Sequence, residues 1–120
     1  MKKILVIEDN PMVIKSLEFK LKKDGNDVVI AQDGREAMKQ LKENEFDLIL
    51  TDLMLPFVTG NELISYIKKN TPNTPIIVLS TSTQEAIIME AFNMGVDDFI
   101  TKPFSPNELS LRVKRLLNKN

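Results

Sequence analysis

The chain contains no cysteine and no histidine, and each absence excludes chemistry. Without thiols there are no disulfides, no thiolate nucleophile and no sulfur-bound zinc. Without imidazole the usual neutral-pH acid–base group and the commonest metal ligand are missing, so any metal must be held by oxygen. Neither sign of charge dominates: 16 Lys and Arg against 17 Asp and Glu give a formal net charge of −1, which offers no broad attraction for nucleic acid. Long hydrophobic runs are also missing. Met1-Lys2-Lys3 is followed by only four apolar residues, too few for a secretory leader, and no stretch approaches the length of a membrane helix. A cytoplasmic protein without membrane contact is expected. At 120 residues and 42% apolar, the chain can bury a continuous core unaided, so one domain over residues 1–120 is expected, with no second domain in the chain.

Short apolar runs rich in Val, Ile and Leu alternate with amphipathic stretches. The runs predict strands at Lys3 to Ile7, Asp27 to Ala31, Asp47 to Thr51, Pro75 to Ser80 and Val96 to Thr101. The first, third and fourth are nearly uninterrupted, as in parallel strands covered on both faces. Asn10-Pro11 predicts a helix start and Gly25 its stop. Asp33, Thr59, Ser82 and Ser105 each precede a Glu by three positions, the capping-box spacing, so helices are expected after each. The α/β alternation predicts a doubly wound, five-stranded parallel sheet of order 2-1-3-4-5 with five helices, a flavodoxin-like arrangement.

Parallel strands bring their C-terminal ends to one edge, where open α/β sheets bind and react. Glu8 and Asp9, Asp52, Ser80, and Lys102-Pro103 all stand at such ends. Two carboxylates about 4 Å apart repel by roughly 4 kcal/mol at an effective dielectric near 20, so three together need a cation. Mg²⁺ suits them because it accepts one or two carboxylates, keeps water and completes its shell with phosphate. Lys102 adds a further positive charge, which makes the cleft ready for a phosphoryl group. Carboxylate, lysine and hydroxyl are the available reacting groups. Asp52 is the best nucleophile candidate, because it stands alone while Glu8 and Asp9 form a pair suited to metal, and an aspartyl phosphate is established chemistry. Taken alone, Asp9 would read as a helix cap, and Ser80 and Lys102 as ordinary surface groups; their conjunction outweighs those readings.

The set Glu8-Asp9, Asp52, Ser80, Lys102-Pro103, in this order along the chain, resembles the receiver domain of two-component response regulators. The segment from Gly95 to Val113, GVDDFITKPFSPNELSLRV, is similar to the OmpR/PhoB subfamily, whose receivers precede a DNA-binding domain. The resemblance implies that a sensor histidine kinase passes a phosphoryl group to Asp52. It further implies Mg²⁺, or Mn²⁺ in its place, on Asp9, Asp52 and the backbone carbonyl of Met54, with Glu8 acting through water. Ser80 and Lys102 would contact the phosphoryl oxygens, and Lys102-Pro103 would be cis. Phe99, plain core filler on pattern alone, becomes a switch aromatic that follows Ser80. Phosphorylation would then alter the surface from strand 4 to helix 5 and produce a homodimer, with pairs such as Asp98–Arg112 and Asp97–Lys119. Ile88 should delete a pair with Glu108. Output would be transcription through a DNA-binding domain absent from this chain, or protein binding by a stand-alone receiver; this domain itself would bind no nucleic acid. Self-catalysed phosphorylation from small donors and slow self-hydrolysis are implied, so the domain is a signalling phosphoacceptor rather than an enzyme.

Departures from the usual pattern are Phe57-Val58-Thr59 after the acceptor, which sets an aromatic at the rim of the site, and Thr81 where alanine is usual. An aspartyl phosphatase of the haloacid dehalogenase type would need a second acid at Met54, and a flavodoxin would need a phosphate-binding loop where Asp9-Asn10-Pro11 stands.

Overall fold

In the computed structural model, which describes residues 1–118, strand and helix alternate throughout. The order is β1 (Lys3–Ile7), α1 (Pro11–Lys23), β2 (Asp27–Ala31), α2 (Gly34–Glu43), β3 (Leu48–Asp52), α3 (Gly60–Asn70), β4 (Ile76–Ser80), α4 (Glu85–Asn93), β5 (Asp98–Thr101) and α5 (Pro106–Leu117). All strands pair in parallel in the order β2-β1-β3-β4-β5, as the sequence predicts.

Alternation along each strand builds two cores. Ile4, Val6, Leu48, Leu50, Ile77 and Leu79 face Leu17 and Leu21 of α1 and Leu109, Val113 and Leu116 of α5. Leu5, Ile7, Ile49, Ile76 and Val78 face Ala37 of α2, Leu63, Ile64 and Ile67 of α3, and Ala91 of α4. Successive side chains point to opposite faces, so runs such as Ile4-Leu5-Val6-Ile7 supply both layers. Burying each such side chain contributes about 1.5–3 kcal/mol, which makes the strands the rigid part of the molecule.

Four helix starts follow their caps. Asn10 accepts from the Met12 and Val13 amides, Asp33 from Glu36, Thr59 from Glu62 and Ser105 from Glu108. The fourth expected box fails: α4 begins at Glu85 with Gln84 as its uncapped N-terminal residue. Ser82 turns its hydroxyl to the Gln84 amide two residues on, at 3.2 Å, a local turn that competes with capping. Ala91 is the one fully buried residue of α4, so this helix is the least anchored on its face. Three strands also start later than their apolar runs. β5 begins at Asp98 rather than Val96; just before it, the Asp97 amide donates to the Ile76 carbonyl at 2.8 Å and its carboxylate accepts from the Ile76 amide at 2.9 Å. β3 and β4 begin one residue beyond Asp47 and Pro75, and β3 extends to Asp52 itself.

Candidate functional site

The sheet order reverses around β1, whose neighbours are β2 and β3, and the polar strand ends gather beside that point. Oxygen atoms of Glu8, Asp9 and Asp52 lie within 4.8 Å of one another. Glu8 and Asp52 are buried and Asp9 is exposed. Lys102 reaches across from the loop after β5, and its Nζ donates to Glu8 Oε1 and to Asp52 Oδ2, each at 2.7 Å. The second oxygen of each acid is also held. Asp52 Oδ1 accepts from the Met54 amide at 3.1 Å, and Glu8 Oε2 from the Asn10 amide at 3.1 Å. The Lys102–Pro103 peptide is cis.

Burial by itself would lower the pKa of Lys102. Hydrogen bonds donated to Asp52 and Glu8, together with the charges of those acids, outweigh that desolvation and hold it above the ordinary 10.5. Three carboxylates against one ammonium leave two negative charges at this edge. A dication of oxygen-preferring character matches that excess, and the donor set contains no softer ligand.

Ser80 ends β4 beside this cluster, buried, with its Oγ accepting from the Ser82 amide at 3.1 Å. Phe99, half-buried, packs against the α2–α3–α4 core. Met54 is 80% exposed at the start of the loop after Asp52. Asp98 and Arg112 meet within the single chain at 2.7 Å, and Glu108 lies 3.7 Å from Arg112. Lys119, the expected partner of Asp97, lies outside the described residues.

Two features were not foreseen from the residues. Phe57 leans on α2, its ring 3.6 Å from the Arg35 guanidinium carbon, where the sequence suggested an aromatic at the site's rim. Its φ is +73° and the Val58 amide donates to the Pro56 carbonyl across it, a γ-turn that a bulky residue adopts only under strain. The second feature is Arg115, which joins Arg112 on Asp98 at 3.2 Å. A helix partner three residues beyond the expected one carries no strand-end signal, although the spacing of Arg112 and Arg115 on one helical face allowed it.

A hollow of about 330 Å³ opens at the opposite edge of the sheet, lined by Leu41, Phe46, Asp47, Tyr66 and Thr71, and none of the strand-end polar groups reaches it. The acidic cluster therefore lies away from that hollow, at the C-terminal edge of the sheet.

Residues 4–114 match the family described as the response regulator receiver domain. The alkaline phosphatase synthesis transcriptional regulatory protein PhoP of Bacillus subtilis (strain 168) is 37% identical over 119 residues, which are 99% of this chain and 50% of that protein. The chain thus spans about half the length of that curated relative. Among solved structures, the receiver domain of the Francisella response regulator 1452 superposes with a TM-score of 0.91 at 35% identity, covering 98% of this chain and 97% of that one. DrrB of Thermotoga maritima, an OmpR/PhoB homologue, gives 0.90 at 34% identity, covering 98% of this chain and 52% of that one. With the cleft, the sheet order and these likenesses in agreement, the chain belongs to the response regulator receiver domain family and lies near its OmpR/PhoB branch.

Proposed function

We propose that Asp52 accepts a phosphoryl group from the phosphohistidine of a sensor histidine kinase. The observation that carries this is the bridge of Lys102 Nζ to Glu8 and Asp52 within one acidic cluster. A carboxylate oxygen of Asp52 forms a bond to phosphorus as the phosphorus–nitrogen bond to the donor imidazole breaks. The departing imidazole takes a proton from solvent. Lys102 transfers its ammonium from the Asp52 carboxylate to the phosphoryl oxygens, and the Ser80 hydroxyl donates to another of them. Asp9, Asp52 and the Met54 carbonyl, with Glu8 acting through water, would hold Mg²⁺, or Mn²⁺ in its place, which would supply the charge neutralisation that phosphoryl transfer needs. Water later attacks the same phosphorus, the phosphorus–oxygen bond to Asp52 breaks, and the domain slowly releases inorganic phosphate with its carboxylate restored.

The result is a switch rather than turnover. Phosphorylation adds about 1.5–2 negative charges, Ser80 moves toward them, and Phe99 follows into the vacated space. The weak anchoring of α4 supports its shift, and the β5–α5 charges Asp97, Asp98, Glu108, Arg112 and Lys119 guide a homodimer. The relative named a transcriptional regulatory protein supports control of transcription through a DNA-binding part outside residues 1–120, this domain being a single phosphoacceptor unit that touches no nucleic acid. A stand-alone receiver is the second reading. A likeness to the solved chain of the chemotaxis response regulator CheY4 of Vibrio cholerae, covered to 98% at a TM-score of 0.89 and 30% identity, supports it. A cytoplasmic location, where ATP feeds such kinases, belongs to the same proposal; no helix among the described residues is long and apolar enough to cross a membrane.

Intact-mass measurement after acetyl phosphate tests the central step. Wild type should gain one phosphoryl adduct only with Mg²⁺ or Mn²⁺, and Asp52→Asn should gain none. An adduct of equal yield in Asp52→Asn places the acceptor elsewhere.

A further inference from the structure

The Asp98 charge on β5 is already satisfied within one chain by two arginines of α5. The Asp98 carboxylate is 9% exposed and both of its oxygens are engaged. Oδ1 accepts from Arg112 Nη1 at 2.7 Å and from the Phe99 amide at 2.9 Å, while Oδ2 accepts from Arg115 Nη2 at 3.2 Å. Leu111, 71% exposed, shares a shallow hollow with Asp98, Glu108 and the two arginines.

A two-fold contact between identical chains needs a surface that complements itself, and this one carries both signs of charge around an apolar knob. If two copies met here, Arg112 of each could exchange its own Asp98 for that of the other chain. The pairs lost and gained are then chemically the same, so the exchange is nearly neutral. Arg115 upsets that balance. It is the more exposed of the two arginines, 63% against 37%, and it holds Oδ2, the carboxylate oxygen that Arg112 leaves. An arriving guanidinium meets a like charge in its path and an acid with no free oxygen.

We infer that Arg115 is a brake on self-association: a second copy of this chain must displace it from Asp98 before the cross-chain pair can form. The inference rests on the dimer in the proposed function and adds the contact that opposes it. The brake is symmetric, because two identical chains each give up one Arg115–Asp98 pair.

The test compares wild type, Arg115→Ala and Lys114→Ala by sedimentation equilibrium, each with Mg²⁺ and beryllofluoride as phosphoryl mimic. An exposed pair is worth roughly a factor of three, and two-fold symmetry counts it twice, so Arg115→Ala should dimerise about tenfold more tightly. Loss of a positive charge makes the net charge more negative and by itself opposes association, so tightening cannot come from charge alone. Lys114→Ala makes the same charge change on an exposed residue of the same helix and should not tighten the dimer. Equal affinity in wild type and Arg115→Ala overturns the brake, and weaker affinity overturns it by making Arg115 a cross-chain contact. Association of Arg115→Ala where wild type stays monomeric supports it. If neither associates, the brake and the dimer fall together, while the adduct on Asp52 stands or fails by its own measurement.

Discussion

Lys102→Met will destabilise the metal-free protein by about 3 kcal/mol, the low end of the range for removing one partner of a buried ion pair. The side chain is 12% exposed and its partners Glu8 and Asp52 are 1% and 11% exposed, so little solvent is available to screen the carboxylates left behind. The low end applies because Asp9, the third acid of the cluster, opens to water. For a chain of this length the loss corresponds to a fall in Tm of about 10 °C. Added Mg²⁺ should raise the Tm of the variant more than that of wild type, since the cation then replaces a charge that the variant lacks. The pH profile carries the same signature. Because the folded pKa of Lys102 is raised above 10.5, its contribution is fully present below that value and is lost as pH climbs through the higher folded one. In metal-free buffer, as pH rises from neutrality, the difference between wild type and variant should therefore shrink only in strongly alkaline solution. Melting curves that superpose at neutral pH would mean the lysine merely decorates the cleft.

Gly60→Ala is the second large effect, and it acts through the backbone. A Cβ at this position would lie 2.6 Å from the Asp52 carbonyl oxygen and 2.6 Å from Leu53 Cα. Neither neighbour is a flexible side-chain end, and the Gly60 amide also donates to the Leu53 carbonyl at 3.1 Å. The start of α3 must therefore retreat from the end of β3, at about 1–3 kcal/mol for the overpacking. Asp52 belongs to the peptide being pushed, so adduct formation with acetyl phosphate should slow together with the loss of stability. Gly25→Ala provides the contrast. Its φ is +92° but a Cβ there meets nothing within 4 Å, so the cost is backbone strain of about 1 kcal/mol and the adduct should form at the wild-type rate. Equal stability and equal phosphorylation in the two variants would remove the close packing of α3 on Asp52 as a determinant of either.

The fold was legible because its periodicities are strong. Ile4 to Ile7, Leu48 to Leu50 and Ile76 to Leu79 are buried on both sides, and a polar residue at the end of such a run marks a sheet edge. That is why the positions of Glu8, Asp9, Asp52, Ser80 and Lys102 along the chain already imply one shared edge. Local competition was harder to read. Ser82 has the spacing of a helix cap yet closes a turn on Gln84, and Asp97 sits in an apolar run yet turns its carboxylate to the Ile76 amide at the start of β4. Neither choice is encoded in period or propensity, because each depends on a hydrogen bond chosen among near neighbours. Tertiary pairings of the surface were harder still. Arg115 on Asp98 and Arg35 on Phe57 join elements whose mutual orientation is set by the cores beneath them.

The bridge formed by Lys102 has a consequence for the order in which the cleft matures during synthesis. Its two partners lie 94 and 50 residues earlier in the chain, at Glu8 and Asp52. A ribosome that has released β1 to β4 has exposed every carboxylate of the cluster, but the cation that balances them is still to come. Contacts between such distant positions form late, since the intervening chain must be closed first. The nascent protein is thus unable to complete its acidic cleft until Lys102 emerges, and a truncated product ending before that residue would display the acids without the bridge.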